Sequence, residues 1–279
     1  MSDPDRRKSI LITGCSSGIG LDAARTLRDR GWRVFASCRK AEDCELRAAE
    51  GFDAPQLDYT DEASIDAALK DVLNATGGTL DALYNNGAYA IPGAVEDLPT
   101  QALREIFEAN LFGWHSLTRA VIPVMRAQGH GRIVQCSSVL GLISMPWRGA
   151  YNATKFALEA LNDTLRMEMR DTNIDVILIE PGPITSAFRA NSILAFERWI
   201  DWKNAARAQQ YQNDLRVRLY DSVRKATFEL GPEAVTAKLI HAIEAPTPRP
   251  RYYVTLPTYF SATMRRILPT RALDWIMSR

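Results

Sequence analysis

The stretch K-S-I-L-I-T-G-C-S-S-G-I-G, residues 8–20, decides the fold. Its first six residues form a short apolar, β-branched run that stops at glycine, as a buried parallel strand does. An amphipathic helical pattern follows over 19–30 and meets Gly31 at a C-cap position. Strand, glycine-rich turn and helix is the context in which backbone N–H groups at a helix N-terminus face a pyrophosphate and the missing side chains let it approach. A tight turn with no ligand carries the same glycines, so the reading depends on what comes next.

What comes next is a second strand, W-R-V-F-A-S at 32–37, with Arg39 and Lys40 just past it. In a dinucleotide-binding unit this is where the chain meets the adenosine ribose. A carboxylate there bonds both ribose hydroxyls and favours NAD, whereas a guanidinium receives a 2′-phosphate. Arg39 therefore predicts NADP(H) over NAD(H), the alternative being a solvated basic loop.

Strand and helix then alternate. Helices are expected over 41–50, 62–75, 100–128, 149–170 and 233–244, and strands over 55–57, 80–84, 131–136, 174–179 and 251–255. This order predicts an α/β fold, a single Rossmann-type, doubly wound parallel sheet flanked by helices. No repeat or linker divides the chain, so 1–279 reads as one dinucleotide-binding domain. Asp58, at the end of the third expected strand, can accept from the adenine amino group or cap a helix, although Asp61 is the better cap for 62–75. Asn110 interrupts the long 100–128 helix, where it marks a kink or a bound water, and Leu111, Phe112 and Trp114 around it argue for burial.

The chemistry converges on Y-N-A-T-K, 151–155. Residues four apart on a helix share a face, so the Tyr151 phenol and the Lys155 ammonium reach one centre. A free phenol titrates near ~10 and is a poor acid or base at neutral pH, but a nearby cation favours phenolate. Tyr151 then becomes a usable general acid or base. An exposed helix face also reads Y-x-x-x-K, so the pair needs support from elsewhere. It comes from the glycine turn, from Asn110 and from Ser138 in C-S-S-V-L-G.

Composition limits the remaining classes. With 46% apolar and 24% charged residues the chain is an ordinary globular protein, and a net charge of +1 leaves no footprint for nucleic acid. Cys15, Cys38, Cys44 and Cys136 show no CxxC spacing, and His115, His130 and His241 lie far apart, so neither a disulfide framework nor a metal site is expected. Reduced thiols fit a cytoplasmic setting. Arg6, Arg7 and Lys8 ahead of Ile10–Ile12 look like a signal segment, but the apolar run is too short. No stretch has the ~18 apolar residues a membrane span requires.

Together these motifs resemble the classical short-chain dehydrogenase/reductase family. T-G-x-x-x-G-I-G at 13–20, the Ser138 to Tyr151 interval and P-G-P-I-T at 181–185 match its pattern, and the likeness covers about 8–255. The style is closest to the 17β-hydroxysteroid and retinol dehydrogenase branch. The resemblance implies that Tyr151 exchanges a proton with the substrate oxygen, Ser138 polarises that oxygen, Lys155 binds the nicotinamide ribose and lowers the Tyr151 pKa, and Asn110 holds a relay water. It implies that Gly14, Ser16, Ser17, Gly18, Ile19 and Gly20 line the phosphates and ribose, Asp58 the adenine, and Asn86 with Gly87 the adenosine side. Pro181, Gly182, Ile184 and Thr185 would hold the nicotinamide, with Thr185 or Ser186 reaching its carboxamide. One departure is visible: the family reads N-N-A-G where this chain has Asn85, Asn86, Gly87 and Ala88.

The segment from about 184 to 230 breaks the alternation and carries Phe188, Phe196, Trp199, Trp202, Tyr211 and Tyr220. It reads as a helical substrate lid after the sixth strand. With it, the resemblance implies hydride exchange between nicotinamide C4 and a small apolar carbonyl or alcohol, steroid-like or retinoid-like, by a homodimer or homotetramer. A cofactor sensor without turnover is the alternative, and Lys155 argues against dehalogenating relatives, which carry arginine there. The extension at about 256–279 is amphipathic, with Arg265, Arg266, Arg271 and Arg279 against Asp274. Docking on the domain or a partner subunit is expected of it, and membrane-surface contact through Ile267, Leu268, Leu273, Trp275 and Ile276 is the alternative.

Overall fold

The computed structural model describes residues 7–221 and 228–278. Arg6, Arg279 and lid positions 222–227 lie outside the described residues. The strand read from the opening stretch is β1 (Ser9–Ile12), buried at all four positions. It is followed by α1 (Gly18–Asp29), β2 (Arg33–Ala36), α2 (Ala41–Ala49), α3 (Glu62–Thr76) and β3 (Ala82–Asn85). Next come α4 (Thr100–Phe107), α5 (Gly113–Gln128), β4 (Gly131–Cys136), α6 (Gly149–Glu168) and β5 (Ile174–Glu180). The six-stranded sheet has the order β2-β1-β3-β4-β5-β6, every pair parallel, with β6 at Arg251–Tyr253. Buried apolar clusters pack on both faces, as a doubly wound sheet requires.

The chain leaves β1 for one side of the sheet and β3 for the other. That reversal makes the crevice between their C-terminal ends the place where an open α/β sheet binds ligands. Thr13, Asn86, Ser138 and Pro181 follow β1, β3, β4 and β5 and lie on that edge.

Two expected elements differ. The strand at 55–57 is reduced to isolated bridges, Phe35 to Asp53 and Cys38 to Gln56. Pro55 lies between them and has no N–H to continue the ladder. The sheet therefore has six strands, and the lid follows the fifth. The helix expected over 100–128 is broken by a π-helical turn, Glu108–Phe112, with Asn110 and Leu111 buried in it. Phe112, expected inside, is exposed.

The lid comprises α7 (Phe188–Trp199), a short α8 (Ala208–Gln210), a second π turn (Tyr211–Leu215) and α9 (Arg216–Tyr220). Phe196 and Tyr211 are fully buried in a third cluster that also contains Ile106 and Tyr151, while Tyr220 is exposed. The lid is thus packed on the helix that bears the candidate catalytic pair. Beyond it, α10 (Glu233–Glu244) returns to the sheet, and α11 (Leu256–Ile267) and α12 (Thr270–Met277) form the tail. Ile267 and Trp275 are exposed, and among the described residues no helix is long and apolar enough to cross a membrane.

Candidate active site

The glycine turn is fixed by backbone geometry. Gly14 has φ 70°, and a Cβ there would lie 2.6 Å from Gly87 Cα. On Gly20 it would lie 2.4 Å from Gly14 O. The turn and the end of β3 therefore touch backbone to backbone, and only hydrogen fits between them. Gly87 itself has no positive φ, and a Cβ on it would stand 3.4 Å from Gly14. Ala88 also avoids positive φ. The N-N-G-A order therefore leaves this backbone unstrained.

Ser17 caps α1 without a side-chain hydrogen bond, and the first turn has no acidic residue. The N–H groups there keep the positive end of the helix available to an anion. Beneath the turn, Arg47 of α2 donates to Cys15 O at 3.2 Å and Ser16 O at 3.3 Å and pairs with Glu50 at 2.7 Å. The side of the crevice is tied by Thr13, whose Oγ1 accepts from Asn86 N at 2.8 Å and lies 2.7 Å from Tyr59 Oη, which donates to Asn85 Oδ1 at 2.7 Å. Asn86 Nδ2 donates to Thr13 O at 3.0 Å. Arg47 and Tyr59 escaped the sequence reading. Arg47 lies three residues after the buried Cys44, on the same face of α2, which is the one signal that could have singled it out.

The remaining cofactor candidates occupy the same edge. The Arg39 guanidinium is exposed and makes no hydrogen bond or ion pair among the described residues, while its carbonyl accepts from Gln56. Asp58 Oδ1 accepts from Thr60 N–H and hydroxyl, both at 2.9 Å, and Asp61 caps α3, as expected. After β5, Thr185 Oγ1 donates to Glu229 at 2.7 Å, so this hydroxyl is engaged by the lid. Ser186 approaches the glycine turn: a Cβ on Gly18 would lie 3.0 Å from Ser186 Cβ. Gly182 is equally close-packed, a Cβ there meeting Thr255 Oγ1 at 2.0 Å.

Ser138, Tyr151, Lys155 and Asn110 meet at the ends of β4 and α6. Ser138 Oγ accepts from Leu140 N at 3.1 Å, and the Ser138 side chain is near enough to the Tyr151 phenol to lower its pKa. Lys155 is 1% exposed, donates to Cys136 O at 2.8 Å, and sits 4.2 Å from the Trp114 ring centroid and 5.6 Å from that of Tyr151. Asn110 Nδ2 donates to Tyr89 O at 2.8 Å and Thr154 Oγ1 at 3.4 Å, and its Oδ1 accepts from Tyr89 N at 3.2 Å. Its amide joins the loop after β3 to α6, and the π turn aims it there.

The electrostatics differ from the expected direction. Burial pushes the Tyr151 phenol above its ordinary value, while the Ser138 hydrogen bond and the Arg148 charge pull it back. Burial also lowers Lys155 to about 8, opposed by Cys136 and Glu159. Burial is thus the largest influence on both groups. Burial favours the protonated phenol at Tyr151 and weakens the hold of Lys155 on its proton.

The family model for short chain dehydrogenase matches residues 8–195. The chain belongs to the short-chain dehydrogenase family. Its relatives include the uncharacterized oxidoreductase YbbO of Escherichia coli, 42% identical over 97% of this chain and 94% of that protein. An NADPH-dependent 3-dehydrocapnine reductase of Ornithobacterium rhinotracheale is 30% identical, covering 95% and 94%. Retinol dehydrogenase 8 of Homo sapiens is 34% identical over 65% of this chain and 60% of its own, in keeping with the expected branch. This short-chain dehydrogenase is therefore an oxidoreductase on a Rossmann-type parallel sheet. Among the described residues no cluster of His, Cys, Asp or Glu could hold a metal, and the four cysteines are free and buried.

Proposed function

We propose that this single-domain enzyme is an NADP(H)-dependent reductase or dehydrogenase acting on a carbonyl or secondary or primary alcohol, with Tyr151 as the proton-transfer group. The observation that carries this is the burial of Tyr151 against Ser138 and Lys155 at the sheet edge where the strand order reverses. The residues fit a dinucleotide: the uncapped N-terminus of α1 and the side-chain-free contact of Gly14 with Gly87 suit a pyrophosphate. Arg47 adds positive charge below it, and Arg39 is exposed and unpaired where a 2′-phosphate would lie. A relative named NADPH-dependent supports the same preference.

When bound, the nicotinamide supplies or accepts the hydride at C4. In the reductive direction the protonated Tyr151 hydroxyl gives its proton to the substrate oxygen, and Ser138 orients that oxygen. The Lys155 ammonium favours the phenolate that results. Asn110, buried one layer behind through Thr154, holds α6 in register. The packed lid excludes water from the reacting atoms.

Nicotinamide absorbance should be followed with NADPH and NADH against ketones and aldehydes, including steroids and retinal. The expected result is turnover with NADPH that falls by at least ~100-fold in Tyr151→Phe, the scale of a lost general acid. Arg39→Ala should lower the NADPH-over-NADH preference by about 10-fold, one lost charge-assisted contact. Tight NADPH binding with no carbonyl consumed would instead make the protein a cofactor-binding sensor.

A further inference from the structure

Arg148 is the residue whose placement the fold does not explain. It is the N-cap of α6, a position that favours Ser, Thr, Asp or Asn, and it sets a cation at the positive end of the helix dipole. The preceding Trp147 has φ 64°, a left-handed conformation that costs on the order of 1 kcal/mol for a side-chain-bearing residue. That strained residue is held on three sides: its carbonyl accepts from Gly93 N at 3.0 Å, its indole donates to Asp214 at 3.1 Å, and its ring packs 4.8 Å from Tyr211.

The Arg148 guanidinium makes no hydrogen bond or ion pair among the described residues. Burial first, then the charges of Arg218 of α9 and Arg189 of α7, hold it below the ordinary arginine range, opposed by Tyr151. Asp214, in the turn before α9, is taken, since it pairs with Arg218 at 2.6 Å and accepts from Trp147. Arg189 donates to the Asp221 carbonyl at 3.0 Å. Arg148, three residues ahead of the candidate catalytic tyrosine, thus meets no anion among the described residues.

The cofactor does not supply that anion. Its phosphates belong to the glycine turn at the end of β1, whereas Arg148 precedes Tyr151 by three residues on α6, the same face and the substrate's end of the site. We propose that Arg148 anchors an oxyanion carried by the substrate, a carboxylate, sulfonate or phosphate lying one helical turn from the reacting carbonyl. The apolar lid around Phe188, whose ring stands edge-on 5.3 Å from Tyr151, takes the rest of the molecule. The substrate class is then an anionic amphiphile and not a neutral steroid or retinoid. This inference rests on the reading of Tyr151 as the reacting centre.

The test uses the full chain with NADPH and matched pairs: a long-chain 4-oxoalkanoate against its methyl ester, and a 3-oxoalkanesulfonate against its sulfonamide. The anion of each pair should have the higher kcat/KM by about 10-fold or more, as a desolvated charged contact supports. The advantage should collapse in Arg148→Met and be partly restored in Arg148→Lys, with circular dichroism verifying the fold of each. Equal rates within a pair, or an advantage that survives in Arg148→Met, overturn the proposal. Calorimetric binding of octanesulfonate against octanol is measured beside it and needs no turnover. If no carbonyl is reduced, the reductase reading fails by itself, while sulfonate binding lost in Arg148→Met still upholds the anion site and binding unchanged in that variant removes it.

Discussion

Arg148 and Arg251 stand at opposite ends of α6 and meet opposite surroundings. Arg251, on β6, binds Glu159 at 2.5 Å, Asp163 at 2.6 Å and Glu180, three carboxylates on one guanidinium. Arg148 has none. Along one face of α6 the residues four apart are Tyr151, Lys155, Glu159 and Asp163, so the helix runs from an unpaired cation through the candidate catalytic pair to an acidic clamp. The clamp ties α6 to β6 and, through Glu180, to the strand end that opens the Pro181 segment. A cation paired in this way is part of the architecture. A half-buried one with no partner among the described residues waits for something outside the chain.

The contrast can be broken by stability measurements. Arg251→Met leaves the Glu159 and Asp163 carboxylates without their counter-ion and the Glu180 carboxyl without its donor, and should lower unfolding free energy by ~3–5 kcal/mol in urea titrations. A loss below ~1 kcal/mol would put Arg251 in the same class as Arg148. A smaller effect is expected at Glu180, whose carboxyl is raised to about 8 by burial and by Glu159, with Arg251 opposing. Its folded-state pKa exceeds the unfolded one, so the folded protein holds an extra proton and stability from this group is lost as pH rises from ~4.5 through the folded pKa. The groups facing it are Glu159, Asp163, Arg251 and Tyr253. Glu180→Gln should flatten the decline in melting temperature between pH 5 and 8 measured by calorimetry, and an unchanged slope would show that Glu180 ionises without cost. The smallest change belongs to Arg148→Met, which removes an unpaired, half-buried charge and should leave stability within about 1 kcal/mol of the parent or raise it. A loss as large as that of Arg251→Met would reveal a partner and make Arg148 architectural.

Where the sequence reading succeeded, the signal was local. The strand, glycine turn and helix over 8–30 and the four-residue spacing of Tyr151 and Lys155 are periodicities within a single window. Where it failed, the cause lay between windows or in competing energies. Arg251 finds Glu159 across 92 positions of chain, and Arg47 reaches the glycine turn from the next helix. The π turn around Asn110 was visible only as a misfit, a polar residue in an apolar helix. The strand at 55–57 failed because Pro55 withdraws the donor that a third ladder needs. At Tyr151 the spacing reports the cation and says nothing of the burial that opposes it.

Trp114 carries one more consequence. It is fully buried, its indole donates to Gly87 O at 3.0 Å, and its ring lies under the Lys155 ammonium. An indole so placed touches the glycine-turn partner on one edge and the candidate catalytic cation on its face. It makes the enzyme its own optical reporter: excited indole emission responds to a charge over its ring, so loss of the Lys155 proton or docking of a nicotinamide changes the fluorescence of an unlabelled protein.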